Sequence, residues 1–171
     1  DLFLMVGSGA VAIDAVLGSA LSSGEKLLAG VNGFFGERLQ AMAEGYGLGV
    51  IPVTAEWGEA LRAEDFDAAF RAHPEAAAAA VVHLETSTTV INPIEAIGAV
   101  TRKHGKYFMA DAVSSMGGLP VKMDEWGIDL CVTASQKCLG APPGLAVAAG
   151  GGDGSGGVNR KPHKRDRGGA R

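Results

Sequence analysis

Cysteine is nearly absent from this 171-residue chain: Cys131 and Cys138 alone make neither a disulfide framework nor a metal-ligand spacing. They read as reduced, partly buried thiols, the usual state in the cytoplasm. Four scattered histidines (His73, His83, His104, His163) form no paired ligand motif, so no metal site is expected. Aromatic residues are only 6% of the chain, which leaves a core built from small and aliphatic side chains. No apolar run is long enough to span a bilayer and no signal peptide opens the sequence, so no membrane partner is expected. A formal charge of −4 gives no reason to expect nucleic acid.

What is present is an alternation. With 47% hydrophobic residues the chain can bury the core of one domain. Leu2–Val6 reads as a buried strand, and Gly7-Ser8-Gly9 turns into an apolar helix from Ala10 to about Leu21. Lys26–Val31 and Val50–Thr54 read as strands, separated by a helix over Phe34–Tyr46 that Gly47 stops. Glu64–His73 is a short helix closed by Pro74, followed by a strand over Ala79–Leu84 and a polar loop over Thr86–Thr89. Pro93 opens a helix to His104. Tyr107–Ala110, ending on Asp111, Asp129–Thr133 and Leu145–Ala149 complete seven strands. Short apolar strands separated by helices predict an α/β fold, a three-layer sandwich around a mainly parallel sheet. The opening residue, Asp1, leads straight into a strand, so the domain over residues 1–149 is expected to be incomplete at both ends.

Residues 150–171 change character. The segment is Gly-rich and then basic, with six Lys/Arg against two Asp after Gly150 and one large apolar residue, Val158. It cannot bury enough surface to offset its ordering entropy, so a disordered, solvated tail is expected, foreign in composition to the folded body.

Ligands of open α/β sheets bind at the carboxyl ends of the strands, and three features fall there. Gly7-Ser8-Gly9 leads into a helix N-terminus, where free N–H groups and the helix dipole favour phosphate. Its Gly7-x-Gly9-x-x-Ala12 spacing also satisfies a permissive dinucleotide fingerprint, although Lys26–Val31 runs into Asn32-Gly33 and not into a ribose-binding acid. Asp111 closes a strand, as a turn cap or as a partner for a pyridinium nitrogen. Lys137 follows the Asp129–Thr133 strand between apolar stretches, where desolvation would favour imine chemistry.

At these residues the chain resembles the class V aminotransferases, and within them the alanine/serine–glyoxylate or pyruvate group. The likeness is carried by Ala110-Asp-Ala-Val-Ser-Ser-Met-Gly-Gly118, by Met123-Asp-Glu-Trp-Gly-Ile-Asp129, and by Thr133-Ala-Ser-Gln-Lys-Cys-Leu-Gly-Ala-Pro-Pro-Gly144. It extends upstream through His83-Leu-Glu-Thr-Ser-Thr-Thr-Val90 and Val31-Asn-Gly-Phe-Phe-Gly36 to Gly7-Ser-Gly9. The resemblance implies the large domain of a fold-type I pyridoxal 5′-phosphate (PLP) enzyme, acting on small amino acids and 2-oxo acids as a homodimer. Lys137 would hold the cofactor as a Schiff base and move the substrate Cα proton, and Asp111 would bind the pyridine nitrogen. Phe35 and Val113 would flank the ring, and Thr86 would lie near its hydroxyl. Ser8, Gly9, Ala10 and Gln136 would hold the phosphate. Phe35 replaces a tryptophan common in the family, Ala10 a frequent histidine, and Thr89 a frequent glycine. The family's substrate-carboxylate arginine lies in a C-terminal part with no counterpart after Gly150. Two alternatives accompany this reading: a PLP lyase of the cysteine desulfurase type, which usually has histidine where Gln136 stands, and a truncated chain that catalyses nothing.

Overall fold

A computed structural model describes residues 1–151; the basic tail from residue 152 lies outside the described residues. Seven strands form one sheet: β1 (Leu2–Val6), β2 (Lys26–Val31), β3 (Gly49–Thr54), β4 (Ala76–Val82), β7 (Tyr107–Asp111), β8 (Leu130–Ala134) and β9 (Leu145–Gly150). A separate two-stranded hairpin pairs β5 (Leu84–Glu85) with β6 (Val90–Ile91). The sheet order is β1-β9-β8-β7-β4-β2-β3. Pairing is parallel from β8 across to β3, while β9 runs antiparallel to both β8 and β1. Six of the seven strands therefore share a direction, and their carboxyl ends open on one edge.

The helices are α1 (Gly9–Ala20), α2 (Phe34–Gly45), α3 (Ala63–Ala72), α4 (Ile94–Lys103) and the single turn α5 (Met123–Trp126). They cover both faces of the sheet. Ala12, Val16 and Leu17 of α1 and Leu39 and Ala43 of α2 pack with Ala78, Ala80, Val82, Met109 and Val132. On the other face Phe66 and Phe70 of α3 and Ile94 and Ile97 of α4 pack with Ala79, Val81, Phe108, Ala110 and Cys131. The strand period of two sorts β4, β7 and β8 between these cores, and three layers result. The alanine run of β4 leaves room for the three buried phenylalanines Phe66, Phe70 and Phe108 on one side.

Three expectations are corrected by the structure. Leu2–Val6 is a strand but not a buried one: Leu2, Phe3, Leu4 and Val6 are exposed. The reason is topological, since β1 is the sheet edge and α1 packs over β8 and β9 instead. The chain also leaves the sheet at Val82, not at Leu84. His83 bends it away, its N–H donating to the Asp111 carbonyl and its carbonyl accepting from the Asn92 N–H, both at 2.8 Å. The expected polar loop Thr86–Thr89 is thus the tip of the β5–β6 hairpin, which periodicity could not reveal in two-residue strands. The last strand runs through Gly150, one residue past the expected end, and the Gly151 N–H donates to the Asp129 carbonyl at 2.8 Å.

The hairpin tip holds the one non-glycine residue with positive φ among the described residues, Thr89 at φ 60°. A β-branched side chain in the left-handed region crowds its own carbonyl, at ~1–2 kcal/mol. Thr89→Gly is expected to raise unfolding free energy by about 1 kcal/mol, readable in urea melts; an unchanged or lowered midpoint would contradict the strain.

Candidate active site

The carboxyl ends of β1, β7 and β8 deliver Gly7, Asp111 and the turn after Ala134 to one edge. Between them lies a cleft of about 150 Å³. Its lining contains every residue that the resemblance assigns to the cofactor: Ser8, Gly9, Ala10, Phe35, Thr86, Asp111, Val113, Gln136 and Lys137.

Asp111 reaches the cleft because it continues the Met109 face of β7, the face that carries α1 and α2. It is buried, and its Oδ1 accepts the Val113 N–H at 2.9 Å. Burial lifts this carboxyl from an ordinary 3.8 to about 6, and the Glu85 charge adds to the rise. The Val113 hydrogen bond and the charges of Arg38 and Lys137 oppose it. A carboxylate so poorly compensated suits a cationic N–H partner seated in the cleft.

Ser8 is the N-cap of the twelve-residue helix α1, with extended backbone and no side-chain cap bond; its carbonyl accepts the Val11 N–H at 2.8 Å, and Gly9 and Ala10, which open the helix, line the cleft. Gly9 is buried against Val113, and a Cβ there would stand 2.7 Å from Val113 Cγ2. Only glycine lets the helix start so close to the floor of the cleft. An anion fits at this end for the reason given by the helix dipole.

Gln136 and Lys137 sit on a loop that Ser135 closes. The Ser135 hydroxyl donates to the Pro142 carbonyl at 2.7 Å, and the Ser135 carbonyl accepts the Ala141 N–H at 2.9 Å. The desolvation expected at Lys137 is not found: residues 136–145 are all exposed, because the loop leaves the sheet edge with no other element of the described chain over it. Cys138 is likewise exposed, not partly buried, its thiol donating to the Ser114 carbonyl at 3.3 Å, whereas Cys131 lies in the core; neither forms a disulfide. The Thr86 hydroxyl pairs with the Ser114 hydroxyl at 2.7 Å, tying the hairpin to the turn after β7.

Sequence reasoning missed Ile13, Arg38, Leu39, Val82, Leu84 and Ser114 in the lining. Arg38 and Leu39 follow Phe35 by three and four residues, a helical spacing that could have found them. It also missed Glu85, a fully buried acid beside the cleft. Behind Asp111, His83 Nδ1 and Ser115 Oγ are hydrogen-bonded at 2.9 Å, and burial holds His83 below its ordinary value.

The dinucleotide fingerprint does not survive the topology. In a dinucleotide-binding βαβ unit the two strands are neighbours, whereas β9, β8, β7 and β4 separate β1 from β2. Asn32 at the end of β2 is buried and committed, its amide donating to the Asn92 side chain at 2.9 Å and the Glu59 carbonyl at 2.8 Å. Among the described residues no cluster of three or more His, Cys, Asp or Glu could hold a metal. No described helix is long and apolar enough to cross a membrane.

Comparison with known proteins bears on the family and the fold. The family model for "Aminotransferase class-V" matches residues 3–155. An uncharacterized aminotransferase of Methanocaldococcus jannaschii is 42% identical over 147 residues, 86% of this chain and 38% of the relative. A 2-aminoethylphosphonate–pyruvate transaminase of Salmonella typhimurium is 39% identical over 146 residues, 84% of this chain and 39% of the relative. The crystal structure of an alanine–glyoxylate aminotransferase from Nostoc sp. superposes with a TM-score of 0.84 at 37% identity, covering 88% of this chain and 40% of that one. A cysteine desulfurase from Thermococcus onnurineus, at 21% identity and a TM-score of 0.72, shares the fold alone. This chain spans about two fifths of the length of these relatives.

Proposed function

Because the chain belongs to the class V aminotransferases, a family that implies pyridoxal phosphate, we propose that residues 1–149 form the PLP-binding large domain of a transaminase. Its substrates would be a small amino donor, alanine or serine, and a small 2-oxo acceptor, glyoxylate or pyruvate. The alanine–glyoxylate and aminoethylphosphonate–pyruvate relatives support that range of acceptors. A homodimer in the cytoplasm is the matching context, consistent with two free thiols.

The observation that carries the reading is Asp111. A buried carboxyl raised to about 6 faces a cleft that also holds a lysine and a helix N-terminus. PLP, when bound, supplies an electron sink for the pair released as the substrate Cα–H bond breaks. Asp111 would keep the ring nitrogen protonated and so preserve that sink. Lys137 Nζ would attach the cofactor and then carry the proton to and from Cα. Phe35 and Val113 would hold the ring between them, excluding water from its faces. Ser8, Gly9 and Ala10 would bind phosphate through main-chain N–H groups, with Gln136 adding a side-chain donor. Thr86 would orient the ring hydroxyl.

Titration of the chain with PLP tests this reading. A visible absorbance band that saturates, and that L-alanine then bleaches, is the expected result. No band at any concentration would sink the cofactor assignment. A band that L-alanine leaves untouched would limit the chain to binding.

A further inference from the structure

Two carboxylates are buried among the described residues, Asp111 and Glu85, and only the first has work in the reading above. Glu85 is 0% exposed at the end of β5, and four donors surround it. Its Oε2 accepts the N–H groups of Phe35 at 3.1 Å and Gly36 at 3.0 Å. Its Oε1 accepts the N–H of Ser87 at 3.1 Å and the hydroxyl of Ser87 at 2.7 Å. The Ser87 hydroxyl oxygen in turn accepts the Phe34 N–H at 3.0 Å. The first three N–H groups of α2, which a helix leaves without intrahelical partners, are therefore all taken by the β5–β6 hairpin. The N-cap residue itself, Gly33, contributes no side chain, and a Cβ there would stand 2.4 Å from Glu85 Cγ.

We propose that Glu85 is a positioning residue: its carboxylate, carried on the hairpin beside the cleft, caps α2 and so fixes the Phe35 ring and the adjoining Thr86 hydroxyl in one register. The helix N-terminus and the four donors offset the cost of burying the charge. One side chain thereby joins two elements, α2 and the β5–β6 hairpin, that both line the cleft. Its charge also reaches Asp111, pushing that carboxyl upward. The proposal rests on reading the cleft as a cofactor cradle only for its effect on PLP, not for the cap itself.

Glu85→Gln keeps the shape but turns an NH2 against one pair of donors, whichever way the amide is set. In the cofactor-free chain, amide exchange of Phe34–Gly36 is expected to accelerate at least about tenfold while β4 amides stay protected. PLP affinity is expected to weaken about tenfold in the wild-type background, and by much less in a Phe35→Ala background, the mark of action through Phe35. Unchanged exchange, or equal weakening in both backgrounds, would overturn the proposal. Should Glu85→Gln not fold, Ser87→Ala removes Phe34's acceptor and one donor to Glu85, with about threefold faster exchange expected and no change counting against it. A wild-type chain that binds no PLP would refute the cofactor reading alone, and the exchange measurement would still decide whether Glu85 holds α2.

Discussion

Lys137→Ala is expected to abolish the visible band of lysine-attached PLP and to slow the half-reaction with L-alanine by about 10⁴-fold, the upper range for losing a positioned proton carrier. The side chain lies on an exposed loop whose shape is set by Ser135, Ala141 and Pro142, none of which needs the lysine. Substitution should therefore leave stability within about 0.5 kcal/mol. That separation makes the test clean: absorbance and single-turnover rates change while the urea midpoint does not. A band of undiminished strength in the variant would remove Lys137 from its role.

The second large effect has opposite signs for stability and function. Asp111 titrates at about 6 in the folded chain against an ordinary 3.8. Below 3.8 the carboxyl is protonated whether folded or unfolded, and burial costs nothing. As pH rises through 6 the unfolded chain has already released its proton, the folded chain must carry a desolvated charge, and stability falls. The gap corresponds to roughly 3 kcal/mol, fully developed above about pH 7. Asp111→Asn keeps an acceptor for the Val113 N–H but removes the charge. The cofactor-free variant is therefore expected to exceed wild type by on the order of 3 kcal/mol at pH 8 and by almost nothing at pH 3.5, in paired urea melts. His83, held low by burial, destabilises the fold as pH drops below 6.5, but it is common to both proteins and cancels in the difference. A gain equal at the two pH values would show that desolvation of Asp111 is not the cause. The same variant is expected to lose the half-reaction by about 10²–10³-fold, because a neutral amide cannot hold the ring nitrogen protonated. Stability gained where activity is lost is the signature of a functional charge.

Much of this is legible in the residue pattern. Seven sheet strands and four long helices followed from alternation of apolar runs, and their ends shifted by at most three residues. Asp111, Lys137 and the Gly7–Gly9 turn were legible because strand ends are marked in sequence by the polar or glycine residue that stops an apolar run. The hairpin of β5 and β6 was not, since two-residue strands carry no period. Arg38 was readable in principle from helical spacing to Phe35, and Ser114 had no signal beyond its neighbours.

The sequence by itself determined the α/β class, the residues that can do chemistry and their order along the chain, because these depend on local periodicity and residue type. Tertiary structure alone decided that β1 is an exposed edge, that β1 and β2 lie too far apart for a dinucleotide, and that Lys137 sits open on its loop. It alone decided, too, that Glu85 caps α2 by accepting the N–H of Gly36, 49 residues earlier in the chain. Each depends on which strands become neighbours and on what covers a side chain, and neither is written in the spacing of residues along one stretch of chain.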